Sequence, residues 1–279
     1  MFVCGSRPSA RRMTNVPAIA MHGVVKRFDE VVAIEGLDLQ VAPATIFGLL
    51  GPNGAGKSTT IKILTTLLDA TAGWATVAGF DVAAQPVEVR RRIGYVPQLL
   101  SADGALTAIE NLDLSARLYG LRAKQRIARV REALEFAGLA DVGAKLVRTY
   151  SGGMIRRLEI AQATLHTPQV LFLDEPTIGL DPVARRAVWD KLFELRQAHG
   201  MTILITTHDM EEADVLCDEL AILHQGRLAL TGRPAELKAR LGPEATLEDV
   251  FAEVSGAVID FGGNYRDVRQ SRAAIGRRG

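Results

Sequence analysis

The sequence predicts an α/β chain built on a parallel, doubly wound sheet. Three observations carry this expectation. Residues 45–50 (TIFGLL), 169–174 (QVLFLD) and 201–208 (MTILITTH) are short apolar runs rich in β-branched residues. Strands buried on both faces read this way. A helical pattern over residues 182–198 stands between the last two runs, and strands alternating with helices imply parallel pairing. Residues 99–165 change character: TAIENLDLSARLYGL and KQRIARVREALEFAGL carry apolar residues at helical spacing, which predicts a helical insert.

Each element follows in order. Residues 1–17 hold Arg7, Arg11 and Arg12, but the apolar stretch behind them, VPAIAM, is too short for a signal sequence. They are expected to form a disordered tail. Residues 18–50 are strand-rich: AIAMHGVVKRF and VVAIEGLDLQV mix alternation with β-branched residues. The loop GPNGAGKST follows, then a helix over residues 58–68. GWATVAGFDV reads as a strand segment, and residues 91–98 (RRIGYVPQ) as a strand ending in a loop. Gly120 and Gly138 are expected helix stops. Ser151-Gly152-Gly153 opens a helix over residues 154–164. ELAILHQGRLALTG reads as a hairpin turning at Gln225-Gly226. One or two short helices follow residue 234, including TLEDVFAEVSG.

The expected organisation has six parts. After the 1–17 tail, residues 18–98 hold a β subdomain and the first half of the core. Residues 99–165 form the helical insert, 166–233 the second half of the core, and 234–262 a short extension. Residues 263–279, with the arginines from Arg266 to Arg278, are expected to be disordered.

Composition narrows the function. A formal net charge of +1 provides no global pull toward nucleic acid, and 5% aromatic residues argue against a base-stacking surface. Cys4 and Cys217 sit far apart and match no metal spacing. No apolar run approaches the ~20 residues a membrane helix requires.

Two motifs carry chemistry. Gly51-Pro52-Asn53-Gly54-Ala55-Gly56-Lys57-Ser58 satisfies G-x-x-x-x-G-K-[ST], between an expected strand and an expected helix. Glycines let backbone N–H groups close on phosphate oxygens without a Cβ in the way. Lys57 is expected on the β and γ phosphates and the Ser58 hydroxyl on Mg²⁺, with Thr59 next in the helix. In VLFLDEP, Asp174 and Glu175 end a buried strand, where open α/β sheets place ligands. Asp174 suits the carboxylate that supports Mg²⁺. Glu175 suits the general base that polarises an attacking water.

Ser151-Gly152-Gly153 poses a separate question. A serine and two glycines at a helix start provide a cap and bare N–H groups, a place for an anion. The chain already has one phosphate loop, and this second cradle has no lysine. It either caps a helix or serves a phosphate held elsewhere.

The order of these features resembles the ATP-binding subunits of ABC transporters. Phosphate loop, glutamine after a strand, helical insert, S-G-G, LFLDEP, GLD and a histidine after a strand follow one another over residues 19–235. TLEDVF, GLLGPNGAGKSTT and ARLYGL look most like the ABC-2 export type and resemble the daunorubicin-resistance ATPases. The resemblance implies a P-loop NTPase (RecA-like) core with a parallel sheet, an antiparallel β subdomain and the helical insert. It implies ATP and Mg²⁺ as ligands, and Glu175, His208, Lys57 and Gln98 as the catalytic set. Gln98 would contact Mg²⁺ beside Ser58 and Asp174, and His208 would sense the γ phosphate. Ser151, Gly152 and Gly153 would serve the site of a second ATP-binding subunit, in a homodimer or with a different ATPase. Asp181 would cross that seam, and it is also a natural N-cap for the helix beginning at Pro182. Phe28 falls where an aromatic stacks on adenine; a buried core phenylalanine is the other reading.

The resemblance further implies an integral membrane permease of ABC-2 type as partner, and a peripheral place on the cytoplasmic face of the cell membrane. The alternative is a soluble ATPase of the same type acting in assembly. Tyr150, Met154 and Ala44 depart from the commonest pattern of the family. Ala44 replaces a glycine in the turn before the phosphate-loop strand.

Overall fold

The computed structural model describes residues 16–256. The expectations for the 1–15 portion of the N-terminal tail, Cys4 and the arginines there included, lie outside the described residues. So do those for residues 257–262 and the Arg-rich 263–279 segment.

The described chain begins with β1 (Ile19–Phe28), β2 (Val31–Val41) and β3 (Ile46–Leu50), followed by α1 (Lys57–Leu64). Next come β4 (Ala72–Val77), β5 (Phe80–Asp81), α2 (Pro86–Arg90) and β6 (Ile93–Val96). The helices α3 (Ala108–Leu118), α4 (Ala123–Ala137) and α5 (Gly152–Thr164) form the middle. Then β7 (Val170–Asp174), α6 (Pro182–His199), β8 (Thr202–Thr207) and α7 (Met210–Leu216) alternate. The hairpin β9 (Glu219–His224) and β10 (Arg227–Gly232) precedes α8 (Pro234–Ala239) and α9 (Leu247–Ser255).

Among the described residues these strands make two sheets. An antiparallel sheet runs β2-β1-β4-β5, and a mixed sheet runs β10-β9-β3-β8-β7-β6. In the second, β6, β7, β8, β3 and β9 pair in parallel and β10 closes the edge antiparallel. The expected parallel core, antiparallel β part and helical insert are therefore all present.

Period-2 alternation explains the layers. Phe47, Leu49, Phe172 and Leu204 point to one face, where Ile61 and Leu64 of α1 and Met21, Leu37 and Val77 of the antiparallel sheet cover them. Ile46, Leu171, Leu173, Ile203 and Ile205 point to the other, against Ile160 of α5 and Val188, Trp189 and Leu192 of α6. Helices α3, α4 and α5 share a third cluster that includes Leu112, Leu134 and Leu158. At the far edge, α7, α8 and α9 cover Leu220 and Ile222.

Two boundaries differ from the sequence reading. Helix α1 stops at Leu64 rather than residue 68. Thr66 adopts φ +63°, and the Leu67 and Thr66 N–H groups donate back to Lys62 and Ile63 carbonyls at 2.8 and 3.0 Å. A threonine thus occupies the left-handed end position that glycine usually takes. GWATVAGFDV is a hairpin, not one strand, because Ala78 (φ +50°) and Gly79 (φ +82°) form a tight turn. Ala44 keeps the glycine-like geometry despite its Cβ: φ is +57°, and its N–H donates to Thr202 Oγ1 at 3.0 Å. Gly120, Gly138 and the Gln225-Gly226 turn stand where expected, all with positive φ.

Candidate functional site

The site lies at the carboxyl ends of β3, β7 and β8. Leu50 pairs with Thr207, and Asp174 with Thr206, so the chain leaves all three strands at one level. From Leu50 it enters the loop Gly51–Ser58. A Cβ on Gly51 would lie 2.4 Å from the Leu223 carbonyl oxygen, and one on Gly56 2.7 Å from that of Ala33. The loop is closed by this packing. The Ala55 carbonyl accepts from Gly226 N–H at 3.2 Å, and Gly226 in turn accepts from Glu35 N–H at 2.8 Å. Gly54 and Gly56 take φ +82° and +101°, which L side chains rarely adopt. Pro52 and Asn53 are exposed and Thr59 is half-buried. No side chain caps α1, so the N–H groups of its first turn point outward as bare donors.

Lys57 opens α1 and is buried. Its ammonium donates to the carbonyls of Gly51 (2.7 Å) and Pro52 (3.2 Å) and pairs with Glu175 Oε1 at 3.2 Å. The Ser58 hydroxyl donates to Asp174 Oδ1 at 3.0 Å, and the Thr206 hydroxyl donates to the same oxygen. Burial and the Asp174 carboxylate push the Tyr95 phenol up to about 12.

Glu175 is held at φ +47°, an uncommon conformation for a residue with a Cβ. Its N–H donates to the Thr206 carbonyl and hydroxyl at 3.1 and 3.0 Å. Its Oε2 lies 3.1 Å from His208 Nδ1 and 3.5 Å from Gln98 Nε2. Four of the anticipated residues, Lys57, Glu175, His208 and Gln98, thus meet on one carboxylate, with Ser58 and Asp174 beside them.

The other anticipated residues stand apart. Ser151 is the N-cap of α5 and accepts from Met154 N–H at 3.3 Å. Gly152 and Gly153 neighbour Leu180 and Ala184 of the segment entering α6, not the chain's own phosphate loop. Ser151 and Gly152 are exposed. Asp181 caps α6, its Oδ1 accepting from Ala184 N–H at 2.9 Å. Phe28 ends β1 and is 45% exposed, with Lys26 Nζ 4.9 Å from its ring centre. That removes the core reading of Phe28.

Several residues around the site escaped the sequence reading. Thr206 serves both acids. Glu212 is buried and accepts from Thr177 Oγ1 (2.7 Å) and Trp189 Nε1 (3.1 Å), tying α7 to α6 and to the chain after Glu175. Arg156 and Glu159 are buried on α5 and reach the Gln98 loop. Only the i,i+3 spacing of Arg156 and Glu159 was visible in sequence, and surface pairs share it.

A phosphate-sized cradle of glycines, a lysine at its floor and a hydroxyl–carboxylate pair of hard oxygen donors fit a nucleotide with Mg²⁺. With the parallel sheet behind them they define a P-loop ATPase. Comparison with known proteins gives the branch: the family described as ABC transporter matches residues 34–178. The chain belongs to the ABC transporter family, as one of its ATP-hydrolysing subunits.

It is 47% identical over 225 residues to the daunorubicin/doxorubicin resistance ATP-binding protein DrrA of Streptomyces peucetius, covering 81% of this chain and 68% of that one. It is 43% identical over 219 residues to Nod factor export ATP-binding protein I of Cupriavidus metallidurans, covering 78% and 72%. A solved ATP-binding subunit of an ABC transporter superposes with TM-score 0.75 at 29% identity, covering 85% of this chain and 99% of that one. A dimeric ATP-binding cassette in a post-hydrolysis state with ADP and Pi superposes at 0.70 with 25% identity, covering 77% and 98%. The family and export-type resemblance expected from the motif order is thereby borne out. Among the described residues no helix is long and apolar enough to cross a membrane.

Proposed function

We propose that the chain is the ATP-driven motor of an exporter and works as a dimer on a separate membrane permease of ABC-2 type. The observation that carries the reading is the convergence of Lys57, His208 and Gln98 on the single carboxylate of Glu175. The kinship with the resistance and Nod-factor export proteins supports the direction of transport.

In this reading Lys57 and the N–H groups at the start of α1 hold the phosphates of ATP, and the exposed face of Phe28 takes the adenine. Ser58, Asp174 and Gln98 are the residues that would hold Mg²⁺, which would supply positive charge against the phosphates. Glu175 takes a proton from the attacking water. His208 Nδ1–H keeps Glu175 Oε2 turned into the site, and the Gln98 amide orients the water from the other side.

Ser151, Gly152 and Gly153 serve a second subunit. Ser151 caps the helix start and, with Gly152, is exposed, while Gly153 packs against Ala184; the phosphate this helix start suits is one held by a partner's loop. Asp181, exposed at the start of α6, lies on the same seam. A helix start favours an anion by about 0.3–1 kcal/mol at an exposed site, so closure depends on bound ATP and hydrolysis releases it. The chain then sits peripherally at the cytoplasmic face of the membrane.

Detergent co-purification from the native host, with mass spectrometry of what comes along, tests the reading. A multi-span membrane protein in near-equal amount is the expected result. Recovery of soluble partners alone refutes the exporter and favours an assembly ATPase.

A further inference from the structure

We propose that the buried pair Arg156–Glu159 is the positioning element for Gln98, clamping its loop to α5 so that the Gln98 amide stays at Glu175. The inference rests on the reading of Glu175 given above.

Residues 97–102 connect the core to the helical insert. The two large apolar side chains of the loop anchor it poorly: Leu99 and Leu100 are 82% and 51% exposed. Their backbone is held instead. Arg156 Nη1 donates to the Pro97 carbonyl at 2.7 Å, and Nη2 donates to the Gln98 carbonyl at 2.8 Å. Glu159 Oε1 accepts from the N–H groups of Ser101 and Ala102 and from the Ser101 hydroxyl. Its other oxygen accepts from Arg156 Nη1 at 3.0 Å. Among the described hydrogen bonds, the loop's backbone is met from Pro97 to Ala102 by these two side chains alone.

The chemistry of the pair is specific. A planar guanidinium can present two N–H groups to two successive carbonyls; an ammonium is a point donor. The residues are 2% and 3% exposed, so the pair is not the kind of surface bridge that contributes nothing measurable. Both stand on α5, the helix that Ser151 caps. A displacement of that helix start is therefore carried to the backbone of Gln98, through bonds rather than through a flexible linker.

The test uses Arg156→Lys, which keeps the charge and loses the fork, and the double variant Arg156→Gln/Glu159→Gln, which removes both charges together. Four quantities are read on the full chain: hydrogen exchange of residues 97–102 and of α5, kcat, KM, and equilibrium binding of a fluorescent ATP analogue. Exchange at Ser101 and Ala102 is expected to rise at least about tenfold while α5 keeps its protection. Turnover is expected to fall at least about tenfold, with KM and nucleotide affinity within about twofold of the parent. Unchanged exchange and turnover in both variants overturns the proposal. So does joint loss of protection in α5 and of nucleotide affinity, because the pair is then only a structural staple. Parental turnover in Glu175→Gln overturns the reading of Glu175 instead, and leaves the exchange result on the loop standing.

Discussion

Lys57 Nζ lies 3.2 Å from Glu175 Oε1, and both side chains are almost fully buried. One ammonium therefore serves the phosphate-loop carbonyls and the carboxylate at once. Removing either charge strands the other, and breaking such a buried pair costs about 3–5 kcal/mol. Lys57→Ala is expected to lose a large part of that in denaturant unfolding of the nucleotide-free protein, and to bind ATP weakly. Lys57→Ala/Glu175→Gln is expected to regain most of the stability and none of the affinity. Equal stability of the single and double variants would falsify the coupling.

Glu175→Gln keeps the hydrogen-bonding shape of the side chain and removes its basicity. Turnover is expected to fall by about 10²–10⁴-fold, the range of a general base, while ATP still binds. Light scattering with ATP is expected to find a long-lived dimer. Hydrolysis at the parental rate removes Glu175 from the role of base.

Gly153 marks where α5 meets α6. A Cβ there would stand 2.6 Å from Ala184 Cβ, closer than packed carbons come. Gly153→Ala is expected to cost about 1–3 kcal/mol of stability, as overpacking does. Adding Ala184→Gly reopens the space and is expected to return part of the loss, read as a rise in melting temperature. No difference between the single and double variants means the helices separate freely at this point.

Glu212 gives a pH signature. Burial pushes its pKa above the ordinary 4.5, and the hydrogen bonds from Thr207, Thr177 and Trp189 only partly oppose this. The folded state therefore holds a proton that the unfolded state has released. Stability falls as pH rises from about 4.5 toward the folded pKa, and it stays at the lower level above that. Glu212→Gln can still accept through its amide oxygen and has no proton to lose. Its melting temperature is expected to match the parent near pH 4 and to exceed it at pH 8. A constant offset across that range excludes titration of Glu212 as the cause.

Ala44 sits at φ +57°, where a Cβ costs roughly 1–2 kcal/mol. Ala44→Gly relieves this and loses about 0.4–1 kcal/mol through the freer unfolded chain. A gain of up to about 1 kcal/mol is expected, visible as a higher melting temperature. A lower one means the Thr202 hydroxyl already compensates the strain.

Much of this molecule was legible in the sequence because its signals are local. The apolar runs before Gly51, Asp174 and His208 read as strands since each is short, β-branched and buried on both faces. The Gln225-Gly226 turn and the stops at Gly120 and Gly138 were legible because glycine is cheap at positive φ. The signals failed at Thr66, which ends α1 without a glycine, and at Ala78-Gly79, where the turn folding β4 onto β5 stands inside an apolar run. Asp181 as a helix cap needed only the proline after it.

The sequence by itself determined the core strands, the helical insert, the phosphate loop, the acid pair and the family, but not α2, α7 or the division of β4 from β5. The legible features follow from side-chain periodicity and from residue types at fixed short spacing. Only the tertiary structure decided which groups share the Glu175 carboxylate, that Thr206 serves both acids, and that Arg156 and Glu159 hold a loop 58 residues distant in the chain. The reason is physical. A charge on a helix reads the same whether it faces water or a loop backbone, and burial, which makes the difference, exists only once β6, β7 and α5 have packed together.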